Sequence, residues 1–85
     1  MTKEELRRMV AFERQLILSA VRERGRIYIT TEQEACDLAM SLAITELLRE
    51  REIRMTGDPV SSHDGVLGNH YERTSVLERL AQAAR

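Results

Sequence analysis

The 85-residue sequence contains few of the residues that carry specialised chemistry: it has one cysteine, one proline, one lysine and no tryptophan. A single cysteine, Cys36, cannot form an intramolecular disulfide, which is typical of proteins from reducing compartments. No segment approaches the roughly 20 consecutive apolar residues that span a bilayer. The first residues lead into a mixed-charge segment and not into the apolar core of a signal peptide. The sequence therefore predicts a cytoplasmic protein without membrane contacts.

An excess of charge of either sign is also absent. The chain has 13 Lys and Arg residues against 14 Asp and Glu residues, interleaved along its length, for a net charge of -1. A domain dominated by phosphate contacts normally shows a clear basic excess. The aromatic residues are Phe12, Tyr28 and Tyr71, which are too few for a base-stacking platform. Nucleic acid is therefore not favoured as a partner, although the balance leaves room for a local basic patch.

Helix-start signals and two alternating segments divide the chain into elements of a single domain, residues 1–85. Three Ser/Thr residues are followed three positions later by Glu, as in a capping box: Thr2 with Glu5, Thr31 with Glu34, and Ser75 with Glu78. These starts predict helices over 3–24, 32–51 and 75–84. Apolar and polar residues alternate over 26–30 and 52–56, which predicts two strands. Residues 57–73 have the composition of a long loop, with a third strand inside 66–72 as the intramolecular alternative.

The apolar residues of the first two helices indicate how they pack. Placed at 100° per residue, those of the first helix form one broad core stripe, with Glu13 near its middle. The members of that stripe are Leu6, Met9, Val10, Leu16, Ile17, Ala20 and Val21. The second helix is apolar on two faces, and we expect Cys36 to lie in the core. Its other face, formed by Ala35, Leu38 and Leu42, exceeds what a small monomer can cover, so we expect a homodimer through this face or through a strand edge.

Catalytic and metal-binding patterns are weak. Asp58, His63, Asp64, His70 and Glu72 lie within fifteen residues, but their spacing matches no tetrahedral zinc site. A solvated loop with two surface histidines accounts for them better. We therefore expect a protein that is not an enzyme and that uses no metal or cofactor.

The predicted order of helices and strands begins like that of two DNA-binding architectures. A winged helix requires two helices and a turn within 34–53, and a ribbon-helix-helix domain requires a similar break. No glycine or equivalent residue interrupts the helical pattern between Ala35 and Leu48. The absence of a break argues against both architectures, which remain the competing hypothesis of a dimeric DNA-binding regulator.

The sequence thus predicts a small α+β domain with two long helices packed on a short sheet, a long loop and a short C-terminal helix. Its predicted function is that of a small non-enzymatic regulator, adaptor or inhibitor that acts by contacting another protein. The residues expected to meet that partner are Glu13, Arg26, Tyr28, Asp58, His63, Asp64, His70 and Tyr71.

Overall fold

The described residues form four helices and a small antiparallel sheet. The computed structural model describes residues 1–56 and 67–84. In chain order the elements are α1 (Lys3–Arg24), β1 (Arg26–Thr30), α2 (Thr31–Cys36), α3 (Leu38–Arg49), β2 (Ile53–Met55), β3 (Gly68–Arg73) and α4 (Val76–Ala83). The mixture of helices with one three-stranded antiparallel sheet gives an α+β fold, as the sequence predicts.

Helix α1 has the bounds that its capping residues predict. The Thr2 hydroxyl accepts a hydrogen bond from the Glu5 backbone N–H at 3.1 Å. At the other end Gly25 has φ of 79°, a conformation that glycine adopts without steric cost, and its N–H donates to the Val21 carbonyl at 2.8 Å. The turn at Gly25 leads directly into β1.

The prediction of one helix over 32–51 is wrong, because the chain breaks at Asp37. This residue has extended backbone angles (φ -125°, ψ 100°), and its side chain accepts from the Met40 N–H at 3.0 Å, so that it caps α3. A short carboxylate competes with the helical backbone in this way and favours helix starts. The cap of α2 also differs from the predicted one, since Thr30 and Gln33 form the capping box. The argument against a winged helix therefore fails, because α2 and α3 are separate helices in the order that such a domain requires.

The last strand of the sheet lies in its middle. The strand order is β1-β3-β2, with both pairs antiparallel. In the register, Ile27 lies opposite Tyr71 and Met55 lies opposite the same residue from the other side. The third-strand alternative is confirmed, and the prediction of a loop as far as residue 73 is wrong for Gly68–Arg73. Residues 57–66 of that predicted loop lie outside the described part of the chain.

The core lies between the sheet and the helices α1 and α3. Its buried residues are Val10, Ile17, Val21, Ile29, Ala39, Ala43, Ile44, Leu47, Ile53 and Tyr71. Two residues that the sequence places in the core are exposed, Met9 to 44% and Leu16 to 49%. Cys36 is also exposed at the end of α2, so its predicted core position is wrong. Because Met9 and Leu16 are exposed, the buried stripe of α1 is narrower than the apolar content of this helix suggests.

Candidate functional site: the outer sheet face

Strand alternation gives the sheet one face against the core and one face turned away from it. Ile29 and Tyr71 are buried on the inner side. Residues directly opposite each other in an antiparallel pair project to the same side. The register therefore groups a second set on the other side, which we call the outer sheet face: Arg26, Tyr28, Thr30, Arg54, Gly68, His70 and Glu72.

An aromatic pair occupies the centre of the outer sheet face. The rings of Tyr28 and His70 lie directly opposite in the register, with centroids 4.8 Å apart and planes tilted by 47°. Gly68 provides the space beside Tyr28: a Cβ atom there would lie 2.7 Å from Tyr28 Cζ and 2.5 Å from the Ile29 carbonyl oxygen. Both rings are half-buried. Packing against neighbours thus holds Tyr28 in place while part of its surface meets solvent.

A charged ladder lies beside this pair. Arg54 Nε donates to Glu72 Oε1 at 2.6 Å, and Arg54 Nη1 donates to Glu78 Oε1 at 2.7 Å, which joins β2 and β3 to α4. Arg26 approaches Glu72 from β1, with 3.9 Å between Nη2 and Oε2. The hydrogen bond to Glu72 raises the pKa of Arg54 further above its ordinary value. Two hydrogen bonds orient the Arg54 guanidinium, whereas Arg26 makes a long ion pair and its side chain is 55% exposed.

The residue types on the outer sheet face suit binding to another molecule. Tyrosine and arginine provide large contact areas and directional hydrogen bonds, and they are enriched among the residues that dominate binding energy in interfaces. Rings and guanidinium groups already held by neighbours lose little conformational freedom when a partner binds. The arrangement can therefore hold a partner surface that offers hydrogen-bonding and apolar groups.

Three of the residues predicted to meet a partner come together on the outer sheet face: Arg26, Tyr28 and His70. Tyr71 does not, because it projects into the core with 2% of its surface exposed. Burial raises the pKa of the Tyr71 phenol, and the Glu34 carboxylate acts in the same direction. Glu13 is half-buried on α1. The remaining predicted contacts, Asp58, His63 and Asp64, lie outside the described residues.

The residues expected at a dimer interface occupy different environments. Ala35 is exposed on α2, and Leu38 is 60% exposed at the first position of α3. Leu42 is half-buried and packs against the core. It also lines an open groove of about 440 Å³ between α1 and α3, together with Leu6, Val10 and Glu46. The break at Asp37 therefore separates residues that a continuous helix would place on one face.

Sequence reasoning missed two features of the surface. The ladder of Arg54 and Glu72 depends on a pairing between β2 and β3, whose register the local pattern does not fix. The sequence pattern assigns Met9 and Leu16 to the core, although with Phe12 they form an exposed stripe at a spacing of three and four residues. Within the described residues, no group of three or more His, Cys, Asp or Glu side chains is placed to hold a metal ion.

Comparisons of this chain with known protein families, with curated proteins and with solved structures give no significant match. Among the described residues, no helix has the length and apolar character needed to cross a membrane.

Proposed function

We propose that this chain is a small non-enzymatic binding protein that regulates, inhibits or links another protein, and that it binds through the outer sheet face. The observation that carries the proposal is the convergence of Arg26, Tyr28 and His70 on one surface from two strands. His70 is far from Arg26 and Tyr28 in the sequence, and the β1–β3 register places it beside them. A preorganised aromatic pair beside an oriented guanidinium group supports binding of a protein surface.

Further parts of the chain extend the proposed contact. Asp58, His63 and Asp64 precede β3 in the sequence, so they belong to the segment that leads to His70 and the outer sheet face. We include them in the proposed binding region together with Glu13, and leave out Tyr71, because its side chain is buried in the core. The protein acts as a homodimer in the cytoplasm in this proposal, which requires no cofactor.

Affinity capture with matched variants tests the proposal. Wild-type protein, Tyr28→Ala, Arg26→Ala and Arg49→Ala are each immobilised and exposed to a lysate of the source organism, with and without nuclease treatment. We expect one protein to be retained by the wild type and by Arg49→Ala, because Arg49 is an exposed arginine on α3, away from the outer sheet face. Retention should fall at least about tenfold for Tyr28→Ala, the size expected for a central interface residue, and to a smaller extent for Arg26→Ala.

Equal retention by all four proteins would show that the outer sheet face is not the contact surface. Circular dichroism of each variant confirms that it is folded, so that lost retention reports binding. A retained protein that disappears after nuclease treatment would contradict a protein partner and support the second candidate.

The second candidate is a dimeric DNA-binding regulator, and the order of elements favours it. Separate helices α2 and α3 followed by two antiparallel strands form the arrangement of a winged helix, in which the second helix of the pair enters the major groove. The charges of α3 do not favour DNA binding. Among the residues of this helix, the only cation is Arg49, and the Glu46 carboxylate lies one turn before Arg49. For this candidate we expect binding to genomic DNA fragments that weakens steeply with salt and is lost in Arg49→Ala. Binding unaffected by either change would contradict a phosphate-driven contact.

A further inference from the structure

Three apolar side chains form a stripe on α1 that no described part of the chain covers. Met9 is 44% exposed, Phe12 is 63% exposed and Leu16 is 49% exposed. Their spacing of three and then four residues is that of the contact seam between two paired helices. We call these residues the α1 stripe. The buried residues of the same helix, Val10, Ile17 and Val21, lie on a different side, so a second helix could reach the α1 stripe without displacing the core.

Two residues of opposite charge border the α1 stripe. Arg8 directly precedes Met9, and its side chain is 79% exposed; among the described residues its ion-pair partner is Glu4, at a long distance of 4.0 Å. Glu13 directly follows Phe12 on the opposite border and is half-buried. Within the described residues, Glu13 takes part in no ion pair. A half-buried carboxylate without a cation gains by meeting one.

We propose that the α1 stripe binds a second copy of this chain, with the two α1 helices parallel and in register. In such a pair, the residue just before an apolar contact residue such as Met9 lies beside the residue five positions later on the other helix. Arg8 therefore lies beside Glu13 of the second copy, and the two-fold symmetry forms this ion pair twice. Met9, Phe12 and Leu16 each pack against the same residue of the second copy.

The charge pattern selects this orientation over the reverse one. An antiparallel pair centred on Phe12 would bring the Glu13 carboxylates of the two copies together, which costs energy because like charges repel at close range. Glu5 and Glu23 continue the spacing of the stripe at its two ends, where identical carboxylates would face each other in the parallel pair. Contact is therefore confined to about two and a half turns, Arg8 to Leu16, and the dimer is weak.

Sedimentation equilibrium of the full chain over a range of concentrations tests the surface. We expect a reversible dimer whose dissociation constant rises at least about tenfold in Phe12→Asp, because the substitution places two carboxylates in the apolar contact. The matched control is Leu38→Asp, which changes a residue of similar exposure (60%) on α3 and should leave the dimer intact. A wild-type chain that is monomeric up to about 1 mM, or a dimer disrupted by Leu38→Asp and not by Phe12→Asp, would overturn the proposal.

Charge exchange tests the orientation. Arg8→Glu and Glu13→Arg should each raise the dissociation constant, because each substitution places like charges together twice. The double variant Arg8→Glu/Glu13→Arg should restore the wild-type constant to within about threefold. Weakening that the double variant does not repair would overturn the parallel arrangement. Circular dichroism spectra that match the wild type establish that each variant is folded.

Discussion

At the scale of single residues, Gly68 controls the geometry of the outer sheet face. A side chain at this position would meet both the Tyr28 ring and the backbone of β1. We expect Gly68→Ala to separate β1 from β3 at this end, to move Tyr28 away from His70, and to lower the free energy of unfolding by about 1–3 kcal/mol, as overpacking typically does. Chemical denaturation measures the stability, and NMR shifts of the two rings report their separation.

Gly25→Ala provides the matched control for Gly68→Ala. Gly25 has a positive φ, but open space surrounds the position of its missing Cβ. The cost of Gly25→Ala is therefore conformational, about 1–2 kcal/mol, and the ring shifts of Tyr28 and His70 should stay unchanged. Ring shifts that respond equally to both substitutions would show that Gly68 has no special role beside Tyr28.

Residue types show which side chains suit binding to a partner. Whether these side chains lie on one surface depends on strand pairing between residues far apart in the sequence. Alternation in β1 places Arg26 and Tyr28 on one face from the sequence alone. His70 lies in a segment predicted as a loop with a strand as the alternative, and its register with Tyr28 brings it to the same surface. Glu72 reaches Arg54 across 18 positions. Local patterns do not determine such registers, so the site could be predicted in part from one strand and not from its neighbours.

At the scale of secondary structure, Asp37 decides that the second helical region consists of two helices. We expect Asp37→Ala to lower the free energy of unfolding by about 1 kcal/mol, because the Met40 N–H loses its acceptor. Asp37→Asn, which keeps an accepting oxygen, should retain most of the stability. Denaturation curves of the three proteins give the comparison, and equal losses in both variants would show that the cap is not responsible.

The same residue explains why the helix break could not be found from periodicity. Apolar residues continue through α2 and α3 without glycine or proline, and an aspartate is compatible with a helix interior as well as with a cap. The choice depends on packing, since separate helices allow Ala39, Ala43 and Leu47 of α3 to reach the core. Helix α1 was predictable to its bounds because its caps are strong and its length favours one continuous helix.

At the scale of the whole molecule, Arg14 connects the two longest helices, α1 and α3. From α1 it donates to Glu46 at 2.6 Å and to Glu50 at 2.7 Å, at the end of α3. The hydrogen bond from Arg14 lowers the pKa of the Glu50 carboxyl below its ordinary value. A depressed carboxyl pKa in the folded state stabilises the protein above the unfolded-state pKa, and the contribution disappears as pH falls through the folded-state pKa.

The stability difference between wild type and Arg14→Ala should therefore be largest near neutral pH and should shrink below about pH 4.5. Urea denaturation at a series of pH values measures it. Arg22→Ala, which removes an exposed arginine from the same helix, is the control and should show a smaller difference with little dependence on acid. A difference for Arg14→Ala that stays constant down to about pH 3 would contradict the role of the Glu50 carboxylate.

The central position of β3 has a consequence for how the chain folds during synthesis. Strands β1 and β2 pair with β3 and not with each other. Both therefore leave the ribosome before the strand that joins them, and their backbone groups lack sheet partners until residues 68–73 emerge. The helices can pack against one another earlier, because the contacts of α3 with α1 and with α2 need no later segment, although Tyr71 of β3 is still missing from the core at that stage. Sheet formation is then a late, long-range step that completes the domain at once.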